Sequence, residues 1–336
     1  MMRNSYISGI GFNLPDKIMK NDELSKYMDT SDQWIQERSG IKERRVVERN
    51  EFDGVGPADL AIPAVEQALK MASLDKEDID LIIFSTAMPD YFLPGSGCLL
   101  QEKMGFPTIG TLDIRQQCAG FIYGLDIADQ YIKNGRYNNI LFVCSEVQST
   151  TIDYSNRGRD VAVLFGDGAG AVVLSPAGDE NFGLIDFAHE IDGSGGPALC
   201  MPAGGSLNPA SRETVDRRMH YVHQDGKTVF RFAVKKTEEI CRRLLRRNGL
   251  KTDDVDLFVS HQANRRIIMS ATERLGIENS KVVINIERYG NTTAGTVPLA
   301  LADAVSEGRL KKGDLVLLAS VGAGFTVGAV LLRWAI

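Results

Sequence analysis

Two rhythms of apolar and polar positions run along this chain. Short runs that are apolar on both faces recur at residues 81–86, 140–144, 161–165, 171–174, 257–260, 282–286 and 315–319, and each predicts a strand buried between helical layers. Between them the period lengthens. Residues 59–71 place Leu60, Ala64, Val65, Ala68 and Leu69 at helical spacing, and residues 120–133 and 296–305 follow the same pattern. Strand-length runs alternating with helices predict an α/β protein.

The pattern also repeats. "IDLIIFST" from Ile79 resembles "VDLFVSHQ" from Val255, and "IADQYIKNGRYNNILFVCS" from Ile127 resembles "LADAVSEGRLKKGDLVLLAS" from Leu301, at a separation of about 175 residues. A duplicated βα unit is therefore expected, with halves at 1–180 and 181–336. The same separation puts Cys118 and Asn291 at nearly equivalent places, each just before a predicted helix. The Gly-rich stretch 192–205, with Pro197 and Pro202, reads as a long loop between the halves that borders a site.

Composition narrows the class. The chain has 336 residues, 43% of them hydrophobic and 24% charged, enough for a substantial core. A net charge of −6 argues against broad attraction to nucleic acid or an anionic membrane, so an acidic partner must be met by a local patch. There is no apolar run of about 18 residues to span a membrane, and residues 1–20, with Asn13, Pro15, Asp16 and Lys17, lack the pattern of a signal peptide. A cytoplasmic location is expected. Cys98, Cys118, Cys144, Cys200 and Cys241 are scattered without a CxxC pair, which suits reduced thiols. His220 and His223 have an i,i+3 spacing without further ligands, so no metal is expected. "GDGAGA" at 166–171 fits GxGxxA, but a strand-like run follows where a dinucleotide fold needs a helix; it reads as a tight turn between strands.

Three residues carry candidate chemistry. Cys118 precedes a helix starting near Gly120, after a short strand-like run at 111–114, and the helix dipole is expected to lower its pKa. His261 ends a buried strand, where α/β sites collect, and Asn291 lies in a Gly-flanked loop before a helix. Each has a plain structural explanation: a buried thiol, a satisfied histidine, a turn or cap residue. A Cys–His–Asn set also serves papain-like proteases, but their signature around the cysteine is absent and the duplicated pattern speaks against that fold.

Taken together, "SDQWIQERSGIKERR", "CAGFIYGL", "GDGAGAVVL", "HQANRRI", "GNTTAG" and "VGAGFTVGAVL" resemble, in order and over nearly the whole chain, the β-ketoacyl-acyl-carrier-protein synthase III family of condensing enzymes. The resemblance implies a thiolase-like, five-layered αβαβα fold built from two duplicated half-domains, a homodimer, and no cofactor beyond the coenzyme A thioester and carrier-protein phosphopantetheine that are its substrates. By the same resemblance Cys118 is the acyl-accepting nucleophile, and His261 and Asn291 hold the malonyl thioester carbonyl. The backbone N–H groups of Cys118 and Ala323 form the oxyanion hole, and Asn264 helps to position His261. Trp34, Arg38 and Arg157 line the coenzyme A entrance, where Trp34 and Arg157 would sandwich an adenine, and Arg231 and Arg266 dock the acyl carrier protein. Lys235, Lys236, Arg242, Arg243, Arg246 and Arg247 are expected to add to that basic patch. The implied activity is decarboxylative condensation of an acyl-CoA with a malonyl carrier protein, Cys118 serving acyl transfer and the other two chiefly enolate formation.

Gln116, Gln117, Ala323, Val321, Val327 and Glu273 depart from the family pattern. They leave the chemistry intact and open an alternative, a specialised relative that condenses longer acyl or polyketide thioesters. A catalytically silent partner subunit is a further, non-enzymatic alternative, against which the intact set of three residues speaks.

Overall fold

The computed structural model describes residues 4–48, 54–179 and 181–336. Residue 180, at the expected boundary of the halves, lies outside them. A first sheet contains β1 (Ser5–Asn13), β2 (Leu81–Ser85), β3 (Gly110–Ile114), β4 (Ile140–Glu146) and β5 (Gly168–Pro176), in the order β1-β5-β4-β2-β3. A second contains β6 (Gly183–Ile191), β7 (Leu257–Ser260), β8 (Leu315–Gly322) and β9 (Thr326–Arg333), in the order β7-β8-β9-β6. The parallel pairs are β2/β3, β2/β4 and β7/β8.

Helices α1 (Pro57–Ala72) and α2 (Ser96–Met104) cover the outside of the first sheet. Helices α3 (Gly120–Lys133) and α6 (Thr296–Ser306) lie between the sheets and touch both, whereas α4 (Gly226–Arg247) and α5 (Arg265–Leu275) cover the outside of the second. Sequence explains this sorting. α1 has one apolar stripe, Leu60, Ala64, Val65, Ala68 and Leu69, and a proline at its first turn where no N–H is needed. α6 is buried from Thr296 to Ala304, as a central helix must be. The result is the αβαβα sandwich.

Several expectations need correction. The run 161–165 is not a strand: it is the end of a short helix, Arg159–Ala162, followed by a turn whose only strand-like feature is a bridge from Phe165 to Asn291. Its side chains are buried, Leu164 in part, in a cluster with Leu24, Ile35 and Ile286, which is why it read as a two-sided strand. At 282–286 a single parallel bridge, Val282 to Phe258, remains beside β7. There the Gln262 side chain takes the Val283 carbonyl and the Asn285 N–H, and the chain turns into a helix at Ile286. The glycines of 166–171 do not sit in a turn between strands, because β5 begins at Gly168. A Cβ at Gly170 would lie 2.7 Å from the Pro298 side chain, so glycine lets α6 rest directly on the sheet. The loop 192–205 follows β6 of the second sheet and so does not separate the halves; Leu199 pairs with Gln224 across it, and both line the cavity described next.

Candidate active site

A cavity of about 560 Å³ is lined by Cys118, His261 and Asn291, with Trp34, Arg38, Asn264, Arg231 and Arg266 also on its walls. Cys118 sits in a 3-10 turn, Gln117–Ala119, between the end of β3 and the start of α3. Its carbonyl accepts the Ser320 hydroxyl of β8 at 2.6 Å. Glycines crowd it: a Cβ at Gly322 would come within 2.9 Å of the Cys118 Cβ, and one at Gly120 within 2.1 Å of the Ser85 Oγ.

The thiol departs from the expectation of a depressed pKa. Burial, and then the nearby Glu146 carboxylate, push it up to about 12, against the backbone N–H groups of Ala323 and of Cys118 itself, which favour the ionised sulfur. The dipole of α3 does not outweigh burial of the sulfur. Those two N–H groups are the pair expected to form the oxyanion hole, and they converge on the sulfur.

His261 follows β7, its N–H bonded to the Ala319 carbonyl at 2.8 Å. Its Nδ1 lies 2.6 Å from the Thr296 hydroxyl. Burial holds its pKa down at about 3, so the imidazole is neutral. Asn291 is fixed by its backbone, its N–H bonded to the Leu164 carbonyl at 2.8 Å and its carbonyl to the Gly166 N–H at 3.1 Å. The Asn291 Oδ1 accepts the Thr293 N–H at 2.9 Å. A backbone N–H can only donate, so the amide is oriented and Nδ2 is left for the cavity.

The remaining expected residues divide. Asn264 does not contact His261 directly: it caps α5 by accepting the Arg266 N–H at 2.8 Å and donates to the Arg38 carbonyl at 2.9 Å. The guanidinium groups over Trp34 are those of Arg38 and Arg159, at 4.2 and 4.7 Å from the ring centroid; Arg157, expected there, is exposed on the preceding turn. Arg231 and Arg266 stand at the cavity wall, Arg266 over the Phe230 ring. Much of the expected basic patch on α4 is spent in ion pairs: Lys236 and Arg243 with Glu190, Arg247 with Asp186, and Arg242 with Glu238. His220 bonds the Thr214 hydroxyl, and no cluster of three or more candidate metal ligands occurs among the described residues.

Two residues at the site escaped sequence reasoning. Thr296 is one, though its hydroxyl at a helix start was a usable signal. Glu146 is the other. Fully buried at the end of β4, it accepts N–H bonds from Ala87 and Ala294 and side-chain bonds from Thr86 and Gln148, and burial raises its pKa to about 7.

The chain is similar to known proteins over nearly its whole length. Residues 112–193 match the family described as 3-oxoacyl-(acyl-carrier-protein) synthase III, and residues 245–334 match its C-terminal family. A β-ketoacyl-(acyl-carrier-protein) synthase III from Koribacter versatilis is 48% identical over 335 residues, 99% of each chain. The crystal structure of a 3-oxoacyl-(acyl-carrier-protein) synthase III from Aquifex aeolicus superposes with a TM-score of 0.88 at 39% identity, covering 98% of this chain and 100% of that one. The priming β-ketosynthase of the R1128 polyketide pathway superposes with a TM-score of 0.89 at 31% identity, covering 99% and 97%.

Proposed function

Because the chain belongs to the 3-oxoacyl-(acyl-carrier-protein) synthase III family of thiolase-fold condensing enzymes, we propose that it works through an acyl-Cys118 intermediate, with His261 and Asn291 serving the malonyl half-reaction. The enzyme is an acyltransferase that condenses an acyl-CoA with malonyl-acyl carrier protein, releasing CO₂ and giving a 3-oxoacyl thioester. One observation carries the residue assignment: a thiol, an imidazole and an oriented carboxamide from three distant parts of the chain line one cavity.

The chemistry follows from what each group has to offer. Sγ of Cys118 attacks the acyl-CoA carbonyl, the oxyanion taking the N–H groups of Cys118 and Ala323, and the coenzyme A sulfur departs. Splitting the condensation this way replaces one hard step by two easier ones. Malonyl thioester then enters, and loss of CO₂ puts charge on its carbonyl oxygen, which Asn291 Nδ2–H stabilises. His261 donates to that oxygen when its Nε2 holds a proton. The carbanion attacks the acyl-Cys118 carbonyl and expels the thiolate.

Trp34 with Arg38 and Arg159 forms the entrance, where stacked guanidinium and indole suit an adenine nucleotide. Arg231 and Arg266 meet the acidic carrier. The exposed run Tyr91, Phe92 and Leu93, with Leu93 84% accessible, supports a homodimer that buries it. Five unpaired cysteines support a cytoplasmic setting. A second reading, a priming ketosynthase for a longer or branched acyl group, is favoured by the aliphatic Val321 on the cavity wall. Intact-mass spectrometry after incubation with a panel of acyl-CoA thioesters separates the two: a two-carbon adduct on Cys118 fits the primary reading and a long or branched one the second. Acylation only at another cysteine defeats the assignment.

A further inference from the structure

Arg44 is fully buried, yet no carboxylate among the described residues pairs with it. It lies in the short strand Glu43–Arg45, which pairs with Ile18–Lys20. Its guanidinium donates from Nη1 to the Met19 carbonyl at 3.1 Å and to the Asn21 Oδ1 at 2.9 Å, and from Nη2 to the Val163 carbonyl at 2.9 Å. Burial lowers its pKa to about 10, so it keeps its charge at neutral pH. An apolar side chain would fill this space without the cost of desolvating a cation. What the guanidinium adds is a fixed direction for each oxygen it holds.

The Val163 carbonyl opens the segment that carries Asn291. Both backbone bonds of Asn291 go to that segment, at Leu164 and Gly166. The strand of Arg44 lies against the same segment, the Arg45 carbonyl accepting the Asp167 N–H at 2.8 Å. Glycines on either side admit the Arg44 stem: a Cβ would come within 3.0 Å of the Arg44 Cβ at Gly166 and within 3.1 Å at Gly290, which stands at φ 67°. Cys118 is tied elsewhere, its carbonyl to Ser320 of β8. We infer that Arg44 is a positioning residue for Asn291: it pins residues 163–166, and through them sets where the carboxamide stands in the cavity. The inference rests on the malonyl role proposed for Asn291. Arg44 is not on the cavity wall. Its effect is indirect, and a misplacement of about 1 Å can cost about 10²-fold in rate.

The test is a mutant cycle read on the two half-reactions. Arg44→Met, which fills the space without the donors, should lower kcat for CO₂ release from a malonyl thioester by about tenfold or more at little-changed KM. Cys118 in that variant should load acyl-CoA at close to the wild-type rate. In an Asn291→Ala background the same substitution should slow release no further, because the group it positions is gone. Arg44→Lys, which keeps the charge but not the fork, should show the same split on a smaller scale, and it decides the matter if Arg44→Met does not fold. Equal losses in loading and release overturn the inference, as do losses in Arg44→Met and Asn291→Ala that multiply in the double variant; a merely loosened fold gives these results. Release at the wild-type rate in Arg44→Met, with Asn291→Ala slow, overturns the positioning alone. Wild-type release in Asn291→Ala instead defeats the malonyl role of Asn291, and this inference falls with it.

Discussion

The starts of the two central helices are the same piece of backbone put to different uses. Each helix is entered through a 3-10 turn, Gln117–Ala119 before α3 and Thr293–Gly295 before α6, and each turn holds a non-glycine residue in the left-handed region, Gln117 at φ 42° and Thr293 at φ 50°. The turns touch, since a Cβ at Gly120 would lie 3.3 Å from that of Ala294. Before α3 the strained turn presents a thiol. Before α6 it presents no nucleophile: it orients Asn291 through the Thr293 N–H and places the Thr293 carbonyl 3.0 Å from the Thr296 hydroxyl. Duplication supplied matched geometry at the centre of the sandwich, and the functional side chains stand at different depths in it, Cys118 two residues before α3 and Asn291 five before α6.

The comparison is broken most severely by removing the side chains that distinguish the turns. Cys118→Ala should abolish acyl loading altogether, read by intact mass, while retaining measurable CO₂ release from a malonyl thioester. Asn291→Ala should do the opposite, slowing CO₂ release by about 10²–10³-fold, the scale of one lost preorganised donor, with loading nearly intact. His261→Ala should likewise slow CO₂ release, the scale again being that of one lost donor.

Glu146, whose carboxylate is bonded to the Ala294 N–H of one turn and raises the thiol pKa in the other, sharpens the comparison. Its folded-state pKa of about 7 lies above the ordinary 4.5, so the fold favours the protonated form. The stability this contributes is complete below about pH 4.5 and is lost as pH climbs through about 7. Denaturation midpoints of the wild type should therefore fall across that window relative to those of Glu146→Gln. The variant should also alkylate faster at Cys118 with iodoacetamide at mildly alkaline pH, unlike a variant that only loosens the fold, which would expose the other buried thiols too.

The smallest effect concerns the strain. Gln117→Gly and Thr293→Gly should each raise stability by up to about 1 kcal/mol by relieving a left-handed residue, seen as a higher Tm. The cost should appear in different half-reactions: loading for Gln117→Gly, decarboxylation for Thr293→Gly. Equal losses in both assays would show that the turns act as one unit.

Much of this was legible in the sequence. The runs that became β2, β4, β7 and β8 are strand-length and uniformly apolar, the helices α1, α3 and α6 have clean periods, and Cys118, His261 and Asn291 stand beside them in distinctive motifs. What failed was aperiodic. Residues 161–165 are apolar on every side because they fill a corner, and burial without a period does not distinguish a strand from an irregular segment. The supporting residues were hidden for another reason: Thr296 acts on a residue 35 positions away and Glu146 on one 148 away. Arg159, not Arg157, lies over Trp34 because the short helix that begins at Arg159, whose end was read as a strand, decides which of two nearby arginines faces the indole.

The ion pairs between α4 and β6 bear on how fast a partner is caught. Carboxylates at Asp186, Glu190 and Glu239 neutralise Arg247, Arg243 and Lys236, so at physiological ionic strength their fields cancel within about 8 Å of the surface. What projects farther is the small positive spot around Arg231 and Arg266 on a molecule of net charge −6. In the docking proposed for Arg231 and Arg266, an acidic carrier is repelled at long range and attracted only near the mouth of the cavity. Its capture is governed by the orientational search over that spot, at rates typical of unsteered docking, about 10⁵–10⁷ M⁻¹s⁻¹. Added salt, which ordinarily slows the meeting of a basic face with an acidic partner, has little long-range attraction here to remove.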